Sequence, residues 1–170
     1  GDSPIYEGPI KLSETVTVSA RGFIEGKICT NMAKATYTQF TPEDFGEGVS
    51  PGVTQQGLNY RYYHGDYAGV DSVKEADLVS EFIAPNFNID VRERDLFYAL
   101  HFSGLIDIPQ DGVYMFATSS NDGSRLYIGD TLVVDNDGVH GIRSASGMIP
   151  TPTRNSASAT ASSASRGFLR

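Results

Sequence analysis

Between positions 119 and 141 the chain reads SSNDGSRLYIGDTLVVDNDGVHG, and two clusters of short acids and amides flank an apolar run. Asn121 and Asp122 precede Gly123; Asp135, Asn136 and Asp137 precede Gly138, with His140 close behind. Such side chains offer oxygens to a hard cation like calcium, which takes about six to eight of them. They also hydrogen-bond sugar hydroxyls, and they build tight turns in which glycine supplies a positive φ. For Asn121-Asp122-Gly123-Ser124 the plainer reading is a turn, and the same alternatives stand open at 135–138. His140 is more simply a structural hydrogen-bonder than a sugar ligand. Arg125, early in the following strand, is placed to pair with an acid such as Asp122 or Asp137.

Tyr60, Tyr62, Tyr63 and Tyr67 form a second cluster within LNYRYYHGDY. Strand alternation puts Tyr60 and Tyr62 on one face and Tyr63 on the other. Exposed rings stack on sugars, which makes Tyr62 and Tyr63 candidates for a glycan site, although core packing is the default for at least half of the cluster. Catalysis has weaker support. Glycoside hydrolysis needs two carboxyls about 5 to 10 Å apart, one of them with a raised pKa. Asp66, Asp71, Glu81, Asp107 and Asp111 sit in turns or on solvent faces, with no apolar setting to raise them. No Ser-His-Asp order, HExxH, P-loop or GxGxxG occurs, so the chain reads as non-catalytic.

The elements that must hold these residues are strands. IKLSETVTVSA (10–20) alternates and is rich in β-branched residues, and KATYTQF (34–40) forms a second short strand. Residues 41–57 carry Pro, Gly and acids without periodicity, as a linker does. Strands follow at 58–67, 96–108, 113–120 and 125–135, separated by Gly/Asp turns. DSVKEADLVSEFIA (71–84) is the one helix candidate, ended by Pro85. Short strands at regular spacing indicate an all-β antiparallel sandwich or flattened barrel over 58–150, with a small partial β-sandwich over 1–40. From Asn155 Ser and Ala dominate, so 151–170 reads as a flexible tail, or as a reading frame that departs from the native domain after Pro150.

The whole chain narrows the partners. With 170 residues, a net charge of −8 and a pI near 4.7, it lacks the clustered cations that nucleic acid or an anionic membrane requires. No apolar run reaches the roughly 18 residues of a membrane span. Cys29 is the single cysteine, which excludes an internal disulfide framework and a multi-cysteine zinc site.

Two resemblances add to this. GLNYRYYHG, then LHFSGLIDIPQDGVYMFATSSNDGSRLYIGDTLVVDNDGVHG, resemble the protective-antigen-type (PA-fourteen) lectin-like domain over about 58–147. That family is a β-sandwich found in secreted glycosidases, adhesins and toxins, where its usual role is carbohydrate binding. Its sugar-binding members hold calcium with an Asp-Asp pair at the position of Asn121-Asp122. The resemblance therefore nominates Asn121 and Asp122 as metal ligands and calcium as cofactor, with an amide replacing one acid. Upstream, residues 3–37 resemble the C-terminal half of the sandwich module that follows the catalytic domain in chitobiase and β-hexosaminidase-like enzymes. Together they imply a glycan-binding accessory region of a secreted or periplasmic bacterial glycosidase, with Tyr62, Tyr63, Asp135, Asn136, Asp137 and His140 as sugar-binding candidates. Its expected partners are a glycan, the parent's catalytic domain and, through an open strand edge, a second copy. The alternatives are a ligand-free structural spacer and an adhesin module.

Overall fold

The computed structural model describes residues 3–44, 52, 55–151 and 157–165, the last of these as backbone only. The chain separates into two compact units, Gly1–Asp44 and Phe45–Arg170. In the first, β1 (Val16–Ala20) pairs antiparallel with β4 (Ala33–Tyr37), while β2 (Phe23–Ile24) and β3 (Lys27–Ile28) form a small hairpin. The hairpin turns at Glu25 and Gly26, both at positive φ (49° and 75°), a backbone twist that suits paired strands. Register places Val16, Val18 and Ala20 opposite Tyr37, Ala35 and Ala33, so one face of this ribbon is apolar. On the other face the Thr17 and Thr36 hydroxyls meet at 2.8 Å. No described residue of this unit is buried. The strands are shorter than the alternation over 10–20 and 34–40 suggests.

The second unit carries β5 (Leu58–His64), β6 (Leu78–Ala84), β7 (Tyr98–Ile106), β8 (Gly112–Ser120), β9 (Ser124–Ile128), β10 (Thr131–Asn136), β11 (Arg143–Thr151) and β12 (Ala157–Ser165). Six strands form one antiparallel sheet in the order β10-β9-β12-β7-β5-β6, and β8 pairs with β11 in a second. The two-stranded sheet packs on the β9–β10 end of the larger one, where the absent side chain of Gly147 lets β11 lie against the Val133 carbonyl. The all-β, antiparallel expectation holds, and the described strands do not close into a barrel.

Alternation along β5 builds the core. Tyr60 and Tyr62 pack with Ala84, Tyr98, Leu100 and Phe102 on one face of the sheet, joined by Leu58 and Val91. Tyr63 joins Tyr67 and Ala99 in a separate cluster, covered by Val70, Val73 and Leu78. A bulge at Tyr62/Tyr63 shifts the β5–β6 register between the two clusters.

Three local expectations are corrected. Residues 71–84 are not a helix: single 3-10 turns at Val70–Ser72 and Glu75–Asp77 lead into β6. Leu78, Val79, Phe82 and Ile83 are β-prone, and pairing with β5 supplies backbone hydrogen bonds that one short helix before Pro85 could not match. The stretch 125–135 is a hairpin, β9 and β10 turning at Gly129 (φ 58°), and not one strand. The Ser/Ala-rich end is not an unpaired tail, since β12 lies between β7 and β9 and pairs with both. Of the sequence-expected linker, 45–51, 53 and 54 lie outside the described residues, as do 152–156 and 166–170 of the tail.

Two tyrosine substitutions separate burial from hydrogen bonding. The Tyr60 hydroxyl is buried and meets no hydrogen-bond partner among the described residues, whereas Tyr62 Oη accepts from Glu93 N at 3.1 Å. Tyr60→Phe is expected to be neutral or slightly stabilising, and Tyr62→Phe to cost about 1 kcal/mol in urea unfolding. A loss as large for Tyr60→Phe as for Tyr62→Phe would overturn that assignment.

Candidate functional site

The two acid-amide clusters meet at one end of the β8–β9–β10–β11 region. Asp122 takes the left-handed conformation (φ 72°), donating its backbone N–H to the His140 carbonyl at 2.9 Å and accepting from Ser120 Oγ at 2.8 Å. A β-carbon at Gly123 would collide with the Asp137 carboxylate and displace it from its place between Arg125 and the Val70 N–H. Asn136 is fully buried and all its polar atoms are used. Its amide donates to Ser120 Oγ (3.1 Å) and to the Arg143 carbonyl (3.0 Å), while its Oδ1 accepts from Arg143 Nε (2.7 Å). The His140 ring lies between two carbonyls, with Nε2 2.9 Å from Asn136 O and Nδ1 2.7 Å from Gly141 O. Ser124 Oγ completes the layer against the Ser120 and Thr118 hydroxyls.

Arg125 is the electrostatic centre. Its guanidinium reaches Asp71 at 2.7 Å, Asp137 at 3.0 Å and Asp135 at 3.4 Å. The hydrogen bond it donates to Asp71 and the charges of Asp137, Asp71 and Asp135 push its pKa up against the opposing effect of burial. Asp137 is also bound by Val70 N–H at 3.0 Å and is largely buried, its side chain 14% exposed, whereas Asp71 and Asp135 are open at 79% and 53%.

The sequence candidates therefore fare unequally. Asn121, Asp122, Asp135, Asn136, Asp137 and His140 are brought together, and Arg125 pairs with Asp137 as its position suggests. Tyr62 and Tyr63 are placed elsewhere: both are buried in core clusters and offer no ring face to a ligand. Sequence reading missed Asp71, which a 3-10 turn delivers from 54 residues away, and Arg143, whose guanidinium fixes Asn136. No local signal marks either contact. Two of these acids are not available to calcium: the carboxylates of Asp135 and Asp137 are engaged by Arg125, and among the described residues no group of three or more His, Cys, Asp or Glu side chains could hold a metal ion.

Buried tyrosines give this unit an alkaline signature. Burial, reinforced by Tyr62, Glu93 and Tyr98, raises Tyr60 to about 12; burial and the hydrogen bond to Asp77 raise Tyr67 to about 12. A free tyrosine titrates near 10, so the folded state holds its protons longer than the unfolded one. Stability is then full below pH ~10 and falls as pH rises from about 10 to 12. Urea midpoints across that window, read beside absorbance at 295 nm, should drop as the buried phenols ionise; a flat profile would contradict it.

Comparison with known proteins fixes the family. Residues 54–166 match the PA14 domain. The chain belongs to the PA14 domain family. The match crosses β12 and ends beyond residue 150, where sequence reading places the domain boundary. Among solved structures, an anti-sigma factor domain-containing protein is similar at 17% identity and a TM-score of 0.55, covering 66% of this chain and 39% of its own. Another, from Clostridium clariflavum, is similar at 18% identity and a TM-score of 0.51, covering 80% of this chain and 48% of its own. At such identities the likeness concerns the fold, and this chain spans less than half of either protein. No curated protein matches the chain. Among the described residues of this PA14 protein no helix is long and apolar enough to cross a membrane.

Proposed function

We propose that the PA14 unit is a non-catalytic glycan-binding accessory domain of a secreted bacterial glycosidase. The observation that carries the reading is the rim just described, in a family whose members commonly bind carbohydrate. Asn121 and Asp135 reach solvent there, and Asp135 is held by Arg125 and the Asp137 N–H at the edge of a network that runs on through Asp137, Asn136 and His140. Rigid, outward-facing amides and carboxylates are the groups that bind sugar hydroxyls at low entropic cost. The finer reading makes the parent hexosaminidase-like, with residues 3–37 belonging to the module that follows its catalytic domain. The apolar face of the β1–β4 ribbon, exposed at Ala33, Ala35 and Tyr37 and partly so at Val16 and Val18, supports that, since two strands rarely stand alone.

A glycan array probed with the full chain, with and without EDTA, tests this. Binding that survives EDTA and falls at least tenfold in Asp135→Ala is the expected result; absence of binding in both conditions overturns it. A catalytic domain encoded upstream in the same reading frame is the matching expectation for the parent. The second reading is a ligand-free structural spacer, favoured by the burial of Tyr60, Tyr62, Tyr63 and Tyr67 and by the internal satisfaction of Asn136.

A further inference from the structure

With Tyr60, Tyr62, Tyr63, Tyr67 and Tyr98 buried, the exposed aromatic rings among the described residues of the PA14 unit are phenylalanines: Phe82, Phe87 and Phe97. Phe82 on β6 is 43% exposed and Phe87, in the loop after it, is 51% exposed. Both rest on the buried aromatic layer of one sheet face. The Phe82 ring lies 4.5 Å from Tyr60, Tyr60 lies 5.1 Å from Phe102, and Phe87 lies 5.4 Å from Phe102. Four rings thus run in sequence from Phe82 through Tyr60 and Phe102 to Phe87, the inner two sealed and the outer two open. Asn86 and Asn88 flank Phe87, and each side-chain oxygen is already taken by a backbone N–H, of Asn88 at 2.9 Å and of Asp90 at 2.8 Å. Their amide N–H groups are the polar atoms left to a ligand at that side.

We propose that Phe82 and Phe87 are two stacking faces for the neutral pyranose rings of one oligosaccharide, with the Asn86 and Asn88 amides donating to its hydroxyls. Two half-exposed phenylalanines offer roughly 200 Å², far below the ~800 Å² per partner of a stable protein interface and close to what one or two sugar rings cover. Neither ring nor amide carries charge, which suits an uncharged sugar better than a uronate. In the strand order β6 is four strands from β9, about 19 Å at the usual strand spacing, so the platform is separate from the Asn121–Asp135 rim.

The proposal rests on the glycan-binding reading, and one titration separates the two. Cellohexaose and trigalacturonic acid are titrated by calorimetry into the wild-type chain and into Phe87→Leu, Phe87→Tyr and Asp135→Ala. Phe87→Leu keeps an apolar side chain on Phe102, and an unchanged melting temperature confirms its fold. Cellohexaose binding that falls at least tenfold in Phe87→Leu and returns in Phe87→Tyr is the expected result, with no uronate binding. Equal binding by wild type and Phe87→Leu overturns the platform while leaving glycan binding standing; no wild-type binding to either sugar overturns the platform. Loss of neutral-sugar binding in Asp135→Ala alone, with Phe87→Leu unaffected, also overturns it and assigns the sugar to the rim.

Discussion

Arg125→Met is expected to destabilise the PA14 unit by about 3 kcal/mol, because it strands a carboxylate rather than because it removes three ion pairs. Asp71 and Asp135 are open to water, and their pairs with Arg125 are of the exposed kind worth well under about 1 kcal/mol each. Asp137 differs. Its side chain is 14% exposed, and its two oxygens are divided between the Arg125 guanidinium and the Val70 N–H. Without the guanidinium the carboxylate keeps one neutral donor in a space that both Gly69 and Gly123 leave open only by lacking a β-carbon. Water has little room to replace the lost charge. Methionine retains the apolar length of the arginine stem, so packing loss contributes little. The distinguishing comparison is the double variant. Asp137→Asn in the Arg125→Met background should recover a large part of the loss, and Asp71→Ala alone should cost less than about 1 kcal/mol. If Asp71→Ala proves as damaging as Arg125→Met, the burial argument for Asp137 is wrong. The rim would then loosen without Arg125 for another reason.

Much of this arrangement was legible in the chain, and the parts that were not share a physical cause. Turn chemistry at Asn121–Gly123 and 135–138, the opposed faces of Tyr62 and Tyr63 and the all-β class follow from alternation and from glycine's access to positive φ, which are local properties. The sandwich also followed, because regularly spaced strands with Gly/Asp turns leave few other architectures. Segment 78–84 was misread because Val73, Ala76 and Val79 have helical spacing, while the strand partner that decides the matter, β5, lies some twenty residues upstream. β12 was invisible for a different reason. Ala157–Ser165 consists of Ala, Ser and Thr, with no apolar period to detect, and its place in the sheet rests on backbone ladders to β7 and β9 that any sequence of small residues can make. In the site, the short acids announced themselves, but their use did not. Whether Asp135 and Asp137 serve a metal, a sugar or an arginine depends on where Arg125 and Asp71 arrive, and that is tertiary information. That Phe82 and Phe87 stay exposed while Tyr62 and Tyr63 are buried is tertiary information too, since burial on a two-faced sheet cannot be read from the residue type.

Gly147→Val should cause the largest loss of stability in the domain, about 3 kcal/mol or more, by pushing the two sheets apart. Gly147 sits in the middle of β11, opposite Phe116 of β8, and faces the larger sheet. A β-carbon there would run into the Val133 carbonyl of β10, which is backbone and cannot rotate away as a side chain tip would. Two relaxations are available, and both are expensive. β11 can shift outward, opening the packing beside the buried Val134, or it can slip in register against β8. A one-residue slip would turn Met148 inward and Ile149 outward, exchanging the faces of the whole strand. Gly147→Ala tests the same contact with the smallest possible addition and should already cost about 2 kcal/mol, which no loss of glycine's flexibility could explain, because alanine in a strand is otherwise the more stable residue. The comparison that separates sheet packing from local strand preference is Ser146→Val. Its side chain points to solvent on the opposite face of β11, and its effect should lie within about 0.5 kcal/mol of zero or favour the fold. Urea unfolding of the three variants, followed by tyrosine fluorescence, reads the order directly. An equal effect at 146 and 147 would mean that the close approach of β11 to β10 does not hold the small sheet in place, and that the turn network around Asn136 and Arg143 does so alone.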